Sequence, residues 1–468
     1  MTLYPDLLKH QDHLAAIADT GVSILYHELS DFSLRIADTV KPHSLVFSFC
    51  ENTIGSLAGS VAFLNNGVVP LLLDAGQNRQ LLDHLLDTYQ PEYIYLPSRM
   101  CQDFPEFNLC LMEYDYALMQ TNYTEKIPLH KDLAMLFTTS GSTGSPKLVR
   151  LSIENLRENG KSINEYLGIG PDERPITTLP MHYSYGFSII NSHLLAGATL
   201  LLTTKTLVEK DFWNFFRTEK ATSFGGVPYT FEMLKKLRFS RMEFPTLKTI
   251  TQAGGKLSDD LSREFAEYAV NRGIRFFVMY GQTEASPRMS YLHPEYALSK
   301  CGSMGGAIPG GEFSLVDGNG TLIDENCQEG ELVYRGKNVT MGYAGCREDL
   351  AKGDERGGVL FTGDMALRDQ DGFYYITGRK KRFIKLFGNR VNLDEAEQLI
   401  KYLTPDCACC GSDDQMVIYI TETGKEHEVR QFISSKTAIH LSAFAVKVVP
   451  EIPRNKSGKT LYSDLCAR

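Results

Sequence analysis

Three consecutive stretches near the N-terminus constrain the fold of this chain most. SLVFSFC (44–50) is a short apolar run, IGSLAGSVAFLNNG (54–67) is a helical pattern closing at glycine, and VVPLLLD (68–74) is apolar again. Strand, helix and strand in that space predict a parallel βαβ unit, because parallel neighbours need a crossover of about a dozen residues. The rhythm returns between about 175 and 285, with ITTLPM as a strand, SIINSHLLAG as a helix and ATLLLTT as a strand. A helix near 209–219 and the runs ATSFGGVP and FFVMYG complete it. Two successive α/β layers predict a doubled sheet. From about 288 to 378, glycine-punctuated short strands (GEFSLVD, GELVYRG, GFYYITG) predict a small β-barrel. From about 382, helix DEAEQLIKYL, strand QMVIYIT, helix EHEVRQFISSKTA and strand AFAVKVVP predict a small α+β domain. The expected class is α/β, with a large N-terminal domain over 1–380 and a C-terminal domain over 381–468. At 468 residues the chain suits more than one core.

The bulk numbers exclude several classes. A hydrophobic share of 43% and a charged share of 22% are those of a globular protein. A formal net charge of −9 argues against nucleic acid as the main partner, since that binding relies on neutralising phosphates. The N-terminus MTLYPDLLKHQDHL has no basic segment ahead of an apolar core, so no secretory signal is expected. No apolar run reaches the ~18–20 residues that span a bilayer. A cytoplasmic location is therefore expected. Ten cysteines in such a chain are expected to be reduced thiols, and Cys407, Cys409 and Cys410 to be small buried residues on a strand.

The segment 136–150, LFTTSGSTGSPKLVR, sets glycines, hydroxyl residues and a lysine between two apolar runs. Glycine admits positive φ and close backbone approach, so such a loop can wrap amides and hydroxyls around phosphate. It is not a Walker loop, which needs Gly-x-x-x-x-Gly-Lys-Ser/Thr. Five residues after Gly141 comes Pro146, and Lys147 is followed by Leu148. LAMLF (133–137) and LVRLS (148–152) both predict strands, so the loop joins strand to strand.

That loop resembles the signature loop of the adenylate-forming superfamily: acyl-CoA synthetases, peptide-synthetase adenylation domains and luciferases. YGQTEAS (280–286) is similar to its aromatic-Gly-x-Thr-Glu motif, and 361–397 resembles the next two motifs in order. IPRNKSGKTLYSDL (452–465) resembles the motif of the C-terminal catalytic lysine. The match spans almost the whole chain. The resemblance implies ATP-dependent activation of a carboxylic acid to an acyl-adenylate with Mg²⁺, then transfer to a thiol. CoA is the first expectation for that thiol, and the phosphopantetheine of a carrier protein the alternative. A non-catalytic binding protein on the same fold is the third reading, and Lys147, Glu284, Asp364, Arg379 and Lys459 together argue against it.

The resemblance also implies roles. Thr139, Ser140, Gly141, Ser142, Thr143 and Gly144 would cradle the β- and γ-phosphates, with Lys147 adding charge. Thr283 would donate to the α-phosphate and Glu284 would ligate Mg²⁺, a hard cation suited to one carboxylate plus phosphate oxygens. Tyr280, Gly281 and the turn Gly254–Gly255 would frame the adenine. Asp364 would accept the ribose hydroxyls, Arg379 would hold the ribose or phosphate side, and Lys459 would bridge the two reacting anions. The basic run 378–385 would be the hinge of a mobile C-terminal domain, pivoting at Lys381. Gly388 would line the thiol tunnel, beside Lys385 and Arg390. The acid pocket is expected from His182, Tyr183 and Ser184 together with Gly225 and Gly226. Domains for α-amino acids usually carry an Asp where Ser184 stands. A neutral hydroxyl gives an ammonium no charge partner, which favours an acid without an α-amine.

Overall fold

The strand Leu45–Cys50 is buried at every position and lies inside an eight-stranded sheet. It pairs in parallel with Val69–Asp74 and Tyr93–Pro97, and Val69–Asp74 pairs in parallel with Leu133–Thr138. A strand covered on both faces needs no polar alternation, which is why LVFSFC is nearly continuous in apolar residues. The helix Ile54–Asn65 crosses over between the first two strands, as its small residues predict. A Cβ on Gly59 would lie 2.2 Å from the Tyr95 ring, so the glycine sets how closely helix and sheet approach. The computed structural model describes residues 2–77, 79–123, 128–138, 147–386, 389–412, 415–437, 439–455 and 458–466.

A second, five-stranded sheet holds Ser223–Gly226, Thr249–Gln252 and Arg275–Gly281 in parallel. Arg288–Leu292 and Gly306–Ala307 add an antiparallel edge. One face is filled by aromatic rings, among them Phe212, Trp213, Phe216, Phe231, Phe265 and Phe276. The helix Ser184–Leu195 lies between the two sheets: Phe187, Ile190 and Leu194 join the first core, while Tyr185 and Ile189 join the second. Its N-terminal turn is thereby fixed from both sides. ITTLPM does not form the expected strand. Only Pro175 and Ile176 bridge to neighbours, because the Asn52 side chain takes the Leu179 carbonyl and the Met181 amide, both at 3.1 Å.

The glycine-punctuated segment forms an antiparallel run of four strands, Gly311–Val316, Gly330–Gly336, Val359–Arg368 and Tyr374–Arg379. A bridge from Gly305 to Tyr374 ties this run to the second sheet. The C-terminal region has a core of its own, including Ile384, Leu386, Ile400, Cys409, Ile418, Ile433 and Phe444. Its three-stranded sheet pairs Cys407–Ser412 with Gln415–Ile420, and the latter in parallel with Phe444–Val448. Cys407, Cys409 and Cys410 are buried there, and burial pushes the Cys407 thiol up to about 12. No helix among the described residues is long and apolar enough to cross a membrane.

One polar node stands inside this C-terminal core. Arg382 pairs with Glu397 and Asp394, each at 2.5 Å, and its guanidinium lies 3.8 Å from the Tyr462 ring centroid. Glu397 also accepts from the Cys409 amide at 2.8 Å and from the Tyr462 hydroxyl at 2.9 Å. Burial pushes the Glu397 carboxyl up, against the pull of Arg382, so desolvation outweighs the pairing. Removing one partner would strand the other's charge, which costs more than the pair contributes. Glu397→Ala is expected to destabilise the protein by about 3 kcal/mol in urea unfolding; a change below about 1 kcal/mol would show that the node is solvent-relaxed.

Candidate active site

The strand Arg275–Gly281 delivers the first functional group. Tyr280 donates its hydroxyl to Asp364 Oδ2 at 2.5 Å, and Gln282 Nε2 donates to the same oxygen at 2.8 Å and to the Thr362 carbonyl at 2.9 Å. Asp364 is buried in the strand Val359–Arg368, in register with Arg379, whose Nε stands 3.3 Å from Oδ1. Burial and the Asp364 charge hold the Tyr280 hydroxyl well above its usual range, so it stays protonated and donates. A carboxylate offers about four lone-pair sites. Three are used, and an incoming hydroxyl has the Oδ1 side available. Next to Tyr280, Gly281 is required for steric reasons: a Cβ there would lie 1.7 Å from the Pro287 carbonyl oxygen.

The turn Thr283–Ala285 then presents the next two groups. Thr283 Oγ1 lies 2.9 Å from Ser184 Oγ, so the second sheet meets the first turn of the intersheet helix at a hydroxyl pair. Glu284 Oε1 accepts from the Tyr343 hydroxyl at 2.7 Å. Tyr343 belongs to Gly342–Ala344, the edge strand of the first sheet, paired with Leu148–Ser152. Both sheets therefore meet at the 283–284 turn. Among the described residues no group of three or more His, Cys, Asp or Glu could hold a metal. A lone carboxylate with one oxygen committed fits a cation carried mainly by phosphate oxygens.

Lys459 arrives from the other end of the chain. Its amide donates to Asn455 Oδ1 and its carbonyl accepts from the Asn455 amide, both at 2.9 Å. Gly458, at φ +77°, closes that turn and packs on Tyr229 and Val227. Arg454 reinforces the docking, 3.8 Å from Glu232 and 5.7 Å from the Tyr229 ring centroid. The half-buried Lys459 ammonium thereby lies 5.6 Å from the Tyr183 ring centroid. Burial lowers its pKa from the ordinary lysine value, with Arg379 adding to the effect and Glu284 and Asp364 opposing it. Glu284, Asp364, Arg379 and Lys459, from four separate motifs, share one electrostatic field.

The remaining expected residues divide into two sets. Gly254, at φ +83°, leaves room for Tyr183, since a Cβ would lie 2.7 Å from its hydroxyl, and Gly255 abuts Pro228. Half-buried His182 precedes Tyr183 and buried Ser184. Gly225 lies against Ile189, Tyr185 and Thr251, and Gly226 against Thr230. Lys147 is exposed at the near end of the loop, whose roots pair Thr138 with Leu148 in antiparallel register. Thr139, Ser140, Gly141, Ser142, Thr143, Gly144 and Gly388 lie outside the described residues. Lys381 is described in backbone only, in the turn Lys380–Arg382 that follows Arg379 directly. Sequence reasoning missed Gln282, which fills the variable place in its motif, and Tyr343, which carries no motif signal at all.

A model of the AMP-binding enzymes matches residues 6–344. The chain belongs to that family. A 2-succinylbenzoate–CoA ligase of Bacillus cytotoxicus is 29% identical, over 92% of this chain and 95% of the relative. The o-succinylbenzoate CoA synthetase of Bacillus subtilis, solved with its acyl-adenylate intermediate, shares the fold at a TM-score of 0.80. That structure is 20% identical and covers 98% of this chain and 97% of its own. McyG A-PCP, solved with phenylalanyl-adenylate, shares the fold at 0.78 and 18% identity, over 100% of this chain and 82% of its own. This chain is an ATP-using ligase that joins an acid to a thiol. Because of the contact at Gly281, Gly281→Ala is expected to lower stability by about 3 kcal/mol, read as a fall in Tm. An unchanged Tm would contradict the geometry.

Proposed function

We propose that the enzyme activates a carboxylic acid without an α-ammonium as its acyl-adenylate and passes the acyl group to CoA, in the cytoplasm. One observation carries this reading: the Lys459 ammonium sits against Tyr183, in the common field of Arg379, Glu284 and Asp364. Two anions must meet in the first step, and like charges at ~4 Å repel by ~4 kcal/mol at an effective dielectric of 20. A cation fixed between them offsets that repulsion before any bond changes. An acid oxygen then attacks the α-phosphorus, the bond to the bridging oxygen breaks, and pyrophosphate leaves with the displaced electron pair. In the second step the thiol sulfur attacks the acyl carbon, AMP departs, and the thiol proton goes to solvent.

The chain's own groups divide the labour. Thr283 donates toward the α-phosphate once it releases Ser184, and Asp364 accepts a ribose hydroxyl on its Oδ1 side while Arg379 neutralises the phosphate side. Tyr280 and the turn at Gly254 and Gly255 frame the base. Glu284 would hold Mg²⁺, which supplies charge neutralisation to the phosphate oxygens. Lys147 and the loop at 139–144 take the outer phosphates. Ser184 offers an α-ammonium a neutral hydroxyl and no charge partner, which supports an acid without one. The relatives act on 2-succinylbenzoate by name, so that acid is the first to test. A boundary at 380/381 with a pivot at Lys381 would let the C-terminal unit leave and bring the Gly388 segment to the thiol. Lys459→Ala is expected to lower adenylate formation by at least about 100-fold and to leave thioester formation from supplied acyl-adenylate unchanged. Equal loss in both half-reactions would contradict the role given to this lysine.

A further inference from the structure

Two arginines are the largest fully buried side chains in the protein, and they differ in one respect. Arg150 meets Glu355 at 2.5 Å and the carbonyls of Tyr343, Met341 and Lys352. Arg288, 2% exposed, has no such carboxylate among the described residues. Its Nε donates to Ser188 Oγ at 3.0 Å, and Nη1 reaches Tyr166 Oη at 3.3 Å and Met279 Sδ at 2.8 Å. Among those residues Nη2 donates to nothing. The Tyr185 ring covers the guanidinium at 4.4 Å. Hydroxyls, a thioether and a ring face do not neutralise a buried cation, and leaving one unneutralised is costly.

The place of this charge gives it meaning. Arg288 lines a cavity of about 20 Å³ with Gly225, Ile189 and Thr251, and its guanidinium lies under the ring of Tyr185, the residue after the Ser184 that meets Thr283. Arg275 lines the same cavity, bonded to the Leu167 carbonyl and Thr249 Oγ1, again without a carboxylate among the described residues. Glu173 lines it too, but its carboxylate is taken by Thr222 and by Lys248 at 3.3 Å. The wall is thus net positive inside a chain of formal net charge −9. The space holds about one water, and the Tyr185 ring, tethered to Thr251 at 2.9 Å, covers the guanidinium, so a carboxylate reaching Arg288 would have to displace that ring. Gly225 lets the Tyr185 hydroxyl pack this closely, because a Cβ there would lie 2.9 Å from it.

We propose that Arg288 is the counter-ion for a second carboxylate on the acid, at the end remote from the one that is activated. This specificity role rests on the ligase reading above. Buried donors left unpaired by a wrong substrate penalise it far more than a missing methylene does.

The test is ATP–pyrophosphate exchange with succinate, glutarate, adipate and 2-succinylbenzoate, each beside its monomethyl ester. The wild-type enzyme is expected to prefer at least one diacid over its ester by about 100-fold or more in kcat/KM. Arg288→Met should bring that ratio to within a few-fold by weakening the diacid alone, chiefly through KM, and Arg288→Lys should restore part of it. Wild-type use of the esters as well as the diacids would overturn the proposal and leave the ligase reading standing. Equal loss of both substrates in a folded Arg288→Met would do the same. Should Arg288→Met not fold, the wild-type diacid-to-ester ratio decides. Exchange with no acid of either kind would instead sink the ligase reading on which the proposal depends.

Discussion

A carboxylate approaching a triphosphate is repelled, and the proposed chemistry depends on the cation that relieves this. In that proposal the cation is Lys459, held in a turn locked to Asn455, with Gly458 against Tyr229 and Val227. The position costs the ammonium some of its hydration, as the downward shift of its pKa records. Glu284 and Asp364 return part of that cost, while Arg379 works against it. Two cations and two carboxylates therefore coexist before any substrate binds. Each carboxylate is steadied by tyrosine, Glu284 by Tyr343 and Asp364 by Tyr280. Those neutral donors carry much of the carboxylates' hydrogen bonding, and Arg379 adds a pairing to Asp364 at 3.3 Å.

In the proposed second step the same lysine would leave the site. Its docking contacts suit this, since the Arg454–Glu232 pair is long at 3.8 Å and partly exposed. Such pairs contribute little to stability. The contacts within the C-terminal unit are of another kind. Arg382, one residue past Lys381, is bound through Glu397 to Tyr462, three residues past Lys459. This node joins the start of the unit to the segment carrying its lysine. A turn at Lys381 would then move Lys459 as part of one body, and little of the movement would be lost in internal slack.

Much of this was legible in the sequence where the signal was local. The 44–74 unit formed as its periodicity required, and the 280–286 motif brought Tyr280, Thr283 and Glu284 beside Asp364, Ser184 and Tyr343. The misses share a cause. Leu14–Ala18 pairs in parallel with Leu200–Leu202, a partnership far apart in the chain that no window could see. Tyr343 reaches Glu284 only because its edge strand pairs with Leu148–Ser152. ITTLPM had a strand's composition, but a side chain from another element, Asn52, claimed its backbone. Arg288 follows the motif by two residues, and only its burial without a carboxylate among the described residues distinguishes it from a surface arginine.

The central claim is that this site makes an acyl-adenylate and hands it to CoA. The most direct measurement is mass spectrometry of the products formed with Mg²⁺-ATP and 2-succinylbenzoate or other acids, with CoA present and absent. AMP, pyrophosphate and an acyl-CoA are expected when CoA is present, and enzyme-held acyl-AMP when it is absent. Acyl-AMP that persists in the presence of CoA, with no thioester, would contradict the CoA assignment and point to a carrier protein's phosphopantetheine. ADP and phosphate in place of AMP and pyrophosphate would contradict the adenylate itself.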